Sequence, residues 1–133
     1  MEKFHLTVKG IVRRNGRILV IKRSPFDDHK PNVWETAGGG VECEGTPQEE
    51  LAREIKEETG LRVRVGRPFN VFTFRKDTGE FKVGITFLCD YVSGRVKLGP
   101  EHVDYKWVYP RQFAKLKSTP SLHREIAEYA RQK

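Results

Sequence analysis

Residues 46–60 carry the signals of a helix that is marked at both ends and acidic along one side. Three consecutive glycines, Gly38-Gly39-Gly40, precede it. Thr46 is suited to the N-cap and Pro47 to the first helical position, and Glu49 completes a capping box with Thr46. Gly60 is a natural stop just past the last turn. Leu51, Ala52 and Ile55 form an apolar stripe. Glu50, Glu54, Glu57 and Glu58 share the neighbouring face, within an arc of about 100° at 3.6 residues per turn. Like charges at that spacing repel, each pair costing about 0.2–0.5 kcal/mol. The chain carries 25 Lys+Arg against 18 Asp+Glu, a net charge of +7. Crowding acids on one helix therefore has no stability rationale. A bound divalent cation would remove the repulsion, and oxygen ligands of this kind suit magnesium, manganese or calcium.

The flanking sequence alternates strand and turn signals. Residues 4–12 and 17–23 read as strands joined at Asn15-Gly16, a strong hairpin signal. Residues 24–32, with two prolines and paired aspartates, form a loop. Trp34 to Ala37 reads as one short strand delivering the chain to the glycines. Residues 61–74 read as one or two strands, Lys76 to Glu80 as a hairpin loop, and residues 81–92 as a long strand. Ser93-Gly94 and Gly99-Pro100 mark further turns. Asp104 to Tyr109 is the expected last strand and Pro110 to Leu116 a short helix. Ser121 is the expected cap of a final helix whose Leu122, Ile126, Tyr129 and Ala130 share a face. The order of strands, helix, strands, helix predicts an α+β chain or an α/β/α sandwich. At 133 residues, residues 1–133 are expected to form a single domain.

Residues 39–61 resemble the Nudix box, the signature of hydrolases acting on nucleoside diphosphates linked to another moiety. Gly39, Arg53, Glu54, Ile55, Glu57, Glu58, Gly60 and Leu61 fall in register with it. Two positions depart. The box glutamate expected at 45 is Gly45, preceded by Glu44 as though the usual pair were transposed. Ala37 stands where a proline often precedes the glycines. The resemblance implies the Nudix sandwich, a mixed sheet between helices. It implies Mg2+, with Mn2+ as a substitute, held mainly by Glu57 and Glu58. Glu54 would bind metal or position the base, and the Gly38 carbonyl would be a further ligand. Arg53 would orient the carboxylates by ion pairing. A further acid in the loop before a late strand would serve as general base or extra ligand: Glu101, with Asp104 as the rival. His102 reads as a surface or hydrogen-bonding histidine.

Glycines admit a bulky phosphate chain because they lack Cβ, so Gly39 and Gly40 are substrate-binding candidates. Trp34, Glu35 and Arg23 join them, Trp34 as a stacking ring or a core aromatic. Trp107, Phe72 and Phe74 carry the same two readings. Lys22, Arg23 and His29 would meet phosphates or form a solvated basic patch. The resemblance points to a small nucleotide substrate, a nucleoside triphosphate or oxidised dGTP. ADP-ribose and dinucleoside polyphosphates are the alternatives, together with a non-catalytic nucleotide- or RNA-binding module. Nucleic acid is not the expected partner, since no RNA-binding motif accompanies the positive charge. A homodimer is compatible, but no interface is marked. Cys43 and Cys89 are too far apart in sequence for a metal motif and read as free thiols. No apolar run approaches the ~20 residues of a membrane helix. The N-terminus lacks a signal-peptide pattern, so the cytoplasm is the expected location.

Overall fold

The computed structural model describes residues 4–42 and 45–132. The readings for Cys43 and Glu44 fall outside these residues. Phe4–Arg14 (β1) and Arg17–Arg23 (β2) form the hairpin that Asn15-Gly16 predicts. Both turn residues have positive φ, 52° and 79°, as a type I′ turn requires.

The two arms pair only beside the turn, Arg13 with Ile18 and Arg14 with Arg17. Beyond it they splay, and residues 34–40 fill the gap. Trp34–Glu35 (β3) runs antiparallel to β2, with Glu35 opposite Ile21. Ala37–Gly40 (β4) runs antiparallel to β1, from Ala37 opposite Gly10 to Gly40 opposite Thr7. The chain thus enters the gap along β2, reverses at the buried Thr36, and leaves along β1. This corrects the single short strand expected over Trp34–Ala37. The arms of a hairpin run in opposite directions, so one straight strand cannot be antiparallel to both.

The helix Pro47–Thr59 (α1) has the predicted ends. Thr46 Oγ1 accepts the Glu49 N–H at 3.2 Å, Glu49 Oε1 accepts the Thr46 N–H at 3.1 Å, and Gly60 turns left-handed at φ 77°. Arg62–Arg75 (β5) is one long strand antiparallel to Phe81–Ser93 (β6). Its register shifts around Pro68, which has no N–H to give the ladder. β6 lies parallel to β1, so the sheet is mixed. His102–Val108 (β7) pairs with the other edge of β2, beginning earlier than the expected Asp104. Pro110–Lys115 is a 3₁₀-helix. The last helix, Pro120–Gln132 (α2), is capped by Thr119, whose Oγ1 accepts the Leu122 N–H at 3.3 Å. Ser121, the expected cap, lies inside the first turn, because Pro120 takes the first helical position.

Alternation along the strands builds a core on each face. Val8, Val12, Leu19, Ile21, Phe87 and Cys89 meet Leu51 and Ile55 of α1. Ile11, Ile18, Val20 and Leu88 meet Phe113 and, from α2, Ile126 and Tyr129. The mixed sheet therefore lies between helices. Gly10 lets α1 approach closely: a Cβ there would lie 2.9 Å from Ile55 Cδ1 and 3.1 Å from Cys89 Sγ. No helix among the described residues is long and apolar enough to cross a membrane.

Candidate metal centre

Gly38 sits in the splayed part of the sheet with φ of 141°, a conformation that favours glycine. An added Cβ would come within 2.1 Å of the Val8 carbonyl oxygen. The Gly38 N–H donates to Glu58 Oε1 at 2.8 Å, tying the glycine strand to the last turn of α1. Residues 97–101 cross that same turn. Lys97 N–H donates to the Thr59 carbonyl at 2.8 Å and Gly99 N–H to the Glu58 carbonyl at 3.0 Å. These bonds satisfy carbonyls that a helix end leaves open. They also deliver Glu101 and His102 to Glu58. One ligand atom from each of Glu58, Glu101 and His102 lies within 4.8 Å of the others.

A buried hub supports this group. Glu35 Oε2 lies 2.8 Å from His102 Nε2 and 3.0 Å from Arg23 Nε, and its Oε1 lies 3.7 Å from Lys9 Nζ. The Arg23 contact is an ion pair without hydrogen-bond alignment. Arg23 also donates to Asp27 at 2.8 Å. Burial by itself would raise the Glu35 carboxyl, but Lys9, His102 and Arg23 outweigh it and hold it down at about 2. Burial raises Glu58 above the ordinary carboxylate range, opposed by Lys9, the Gly38 N–H and His102. Burial also raises Glu54, against the pull of Arg53, and Glu57, Glu101 and Glu42 raise it further by repulsion.

On the outer face of α1, Arg53 acts as a clamp. Its Nη2 donates to Glu50 Oε2 at 2.6 Å and its Nη1 to Glu57 Oε1 at 2.8 Å, while Glu54 Oε1 lies 3.6 Å away. Glu50 is buried and occupies the space beside Gly45, where a Cβ would meet Glu50 Oε1 at 3.2 Å. The carboxylate absent from position 45 is thus matched by one from position 50, already paired with Arg53.

Of the residues singled out from sequence, Gly38, Glu58 and Glu101 are brought together. Glu54 sits against the glycine strand, its Oε2 3.2 Å from where a Gly39 Cβ would be. A Cβ on Gly40 would meet open space. Glu57 is over half exposed and engaged with Arg53, outside the group of three. Asp104 accepts its neighbour Tyr105's N–H at 2.7 Å and also lies outside it. Trp34 is 6% exposed and packed in the α2-side core, so its ring is a core aromatic rather than an open stacking face. Trp107 packs edge-on to Tyr91, and Phe72 stacks with Phe74. His102 is buried and hydrogen-bonded. Sequence reasoning missed Lys9 and the partnership of His102 with Glu35. No local pattern marks either, because both depend on which strands become neighbours.

The donor set fits a hard dication. Glu54, Glu58 and Glu101 gather negative charge in a partly dehydrated place, and carboxylate oxygens match magnesium or manganese.

A family model described as NUDIX domain matches residues 3–130. A MutT-like protein of Streptomyces ambofaciens is 34% identical over 106 residues, covering 79% of this chain and 64% of the relative. An ADP-ribose pyrophosphatase of Methanocaldococcus jannaschii is 35% identical over 99 residues, covering 72% of this chain and 56% of the relative. The chain thus spans somewhat over half the length of these relatives. The solved structure of a MutT protein from Methanosarcina mazei Go1 superposes with a TM-score of 0.82 at 27% identity, covering 98% of this chain and 95% of that one.

Proposed function

The chain belongs to the NUDIX domain family, and from that premise we propose that it hydrolyses a pyrophosphate bond in a nucleoside diphosphate-linked substrate, with magnesium as cofactor. The observation that carries this reading is the convergence of Glu58, Glu101 and His102 within 4.8 Å beside Gly38. A divalent cation bound there would neutralise phosphate charge and acidify water. Glu58 would hold it, with Glu54 and Glu57 on the adjoining helix face. Glu101, which is exposed, accepts a proton from the attacking water as the water oxygen bonds to phosphorus. The bridging P–O bond breaks and its electron pair leaves with the departing phosphate. Gly40 faces open space where the phosphate chain can lie, and Gly39 makes room for Glu54. Glu35 and Lys9 position rather than touch substrate: Glu35 fixes the His102 ring, and Lys9 offsets the charge of Glu58.

The favoured substrate is a nucleoside triphosphate or oxidised dGTP, giving a monophosphate and pyrophosphate. ADP-ribose is the second reading, favoured by the name of the Methanocaldococcus relative. Product release from the common triphosphates, oxidised dGTP, ADP-ribose and a diadenosine polyphosphate, with and without magnesium, tests both. Cleavage that requires magnesium is the expected result. No cleavage of any of them would remove the hydrolytic reading in favour of a binding module.

A further inference from the structure

A cavity of about 430 Å3 opens on the α1 side of the sheet toward the β1–β2 turn. Its volume is within the range of small-molecule sites, roughly 300–1,000 Å3. Leu61 and the Gly94-Arg95-Val96 segment form one wall, and Tyr91, Tyr105, Trp107 and Arg14 the rest. None of these residues belongs to the candidate metal centre.

The cavity combines three things. Its aromatic surface is fixed: Tyr91 and Trp107 pack edge-to-face at 6.1 Å between centroids, and the Tyr91 hydroxyl donates to the Gly94 carbonyl at 2.8 Å. Among the described residues, its first cation is held by stacking alone. The Arg14 guanidinium lies 4.0 Å over the Tyr91 ring and 5.8 Å from the Trp107 centroid. Stacking spends the π faces of a guanidinium and leaves its N–H donors available. Its second cation, Arg95, is exposed. Among the described residues, no carboxylate lies within ion-pairing distance of Arg14 or Arg95, whereas neighbouring Arg13 and Arg64 both reach Asp90. Two uncompensated guanidinium groups beside exposed aromatic surface call for an anion joined to a flat ring.

We propose that this cavity is a mononucleotide-binding site separate from the metal centre, with the base against Trp107 and Tyr105 and the phosphate on Arg14 and Arg95. Guanidinium forks match phosphate oxygens in pairs, and bases stack on aromatic and guanidinium planes.

Tryptophan fluorescence of the full chain, titrated with AMP, UMP and inorganic phosphate in excess EDTA, tests the proposal. EDTA removes divalent cations, so nucleotide is not recruited through metal at the other site. Saturable quenching by AMP is expected, with phosphate binding more weakly than AMP. Arg95→Ala and Arg14→Gln should each raise the dissociation constant about tenfold or more, as loss of a charge-assisted hydrogen bond does. Glu58→Gln should leave it unchanged, and Trp107→Phe should abolish the quenching, since Trp34 is buried. Near-UV circular dichroism checks that each variant is folded, and Arg95 is exposed enough to be replaced without disturbing the core. Four results would overturn the proposal: no saturable response to AMP, equal affinity for AMP and phosphate, binding lost in Glu58→Gln but kept in both arginine variants, or a response to a short oligoribonucleotide with none to AMP.

Discussion

Single residues here are constrained mostly by what a side chain would displace. Gly38→Ala would drive a Cβ into the Val8 carbonyl and break the Glu58 tether. We expect a loss of about 2 kcal/mol or more, since left-handed strain and a backbone clash both contribute, together with loss of turnover. Denaturant unfolding and activity assays on the same preparation check this; wild-type values for both would refute the account of the strand. Glu101→Gln should lower kcat by about 10²–10⁴-fold, the range for a general base, with the fold unchanged. A drop of only a few-fold would return Asp104 to consideration. Cys89 is fully buried, and burial pushes its thiol up to about 12. In a Cys43→Ser background it should resist a thiol reagent at pH 8 until denaturant is added. Rapid labelling of the native protein would show that the α1-side core is open. The box glutamates could be read from sequence because their spacing is local. Lys9 and the pairing of Glu35 with His102 could not, since Lys9 meets Glu35 only through the strand order, and His102 meets it across β2.

Among the elements, α1 was the most legible. Thr46, Pro47, Glu49 and Gly60 each make a contact within a few residues of themselves, so sequence distance equals structural distance. α2 shows the opposite outcome, although the signal was present: Pro120 marks the first helical position and therefore Thr119 as the cap. Thr119→Ala should cost about 1 kcal/mol, the usual effect of losing an N-cap, while Ser121→Ala should change stability by only a few tenths. Thermal or urea unfolding of the two variants distinguishes these assignments, and the reverse ranking would restore Ser121. β3 and β4 read as one strand in the sequence because the splaying of β1 and β2 is not encoded near residues 34–40. It follows from the pairing of β1 with β6 and of β2 with β7, which leaves each arm's inner edge to be filled.

For the molecule as a whole, acid sensitivity offers a test of how the loop 24–32 is joined to the rest. The Lys30 and His29 N–H groups, with Arg23, hold the Asp27 carboxyl at about 2 against its ordinary 3.8. A carboxyl depressed by folding stabilises the folded state above its unfolded pKa, and that contribution fades as pH falls from about 4 toward 2. Asp27→Asn should therefore flatten the stability profile across that window and leave its slope near neutrality unchanged. An identical acid limb in the variant would show that Asp27 is uncoupled from folding. The same loop joins the site through backbone, since Ser24 N–H donates to the Glu101 carbonyl at 3.1 Å.

The V-shaped insertion at Thr36 also makes residues 34–40 a keystone. If they come out, the inner edges of both hairpin arms lose their ladder partners at once, and Gly38 leaves Glu58. The protein is therefore poorly placed to keep a well-formed sheet around an unassembled centre. Opening measured by amide exchange at Val8 and Gly10 on one arm and at Ile21 on the other should share one free energy with the glycine strand, so that integrity of the fold and readiness of the site rise and fall as a single quantity.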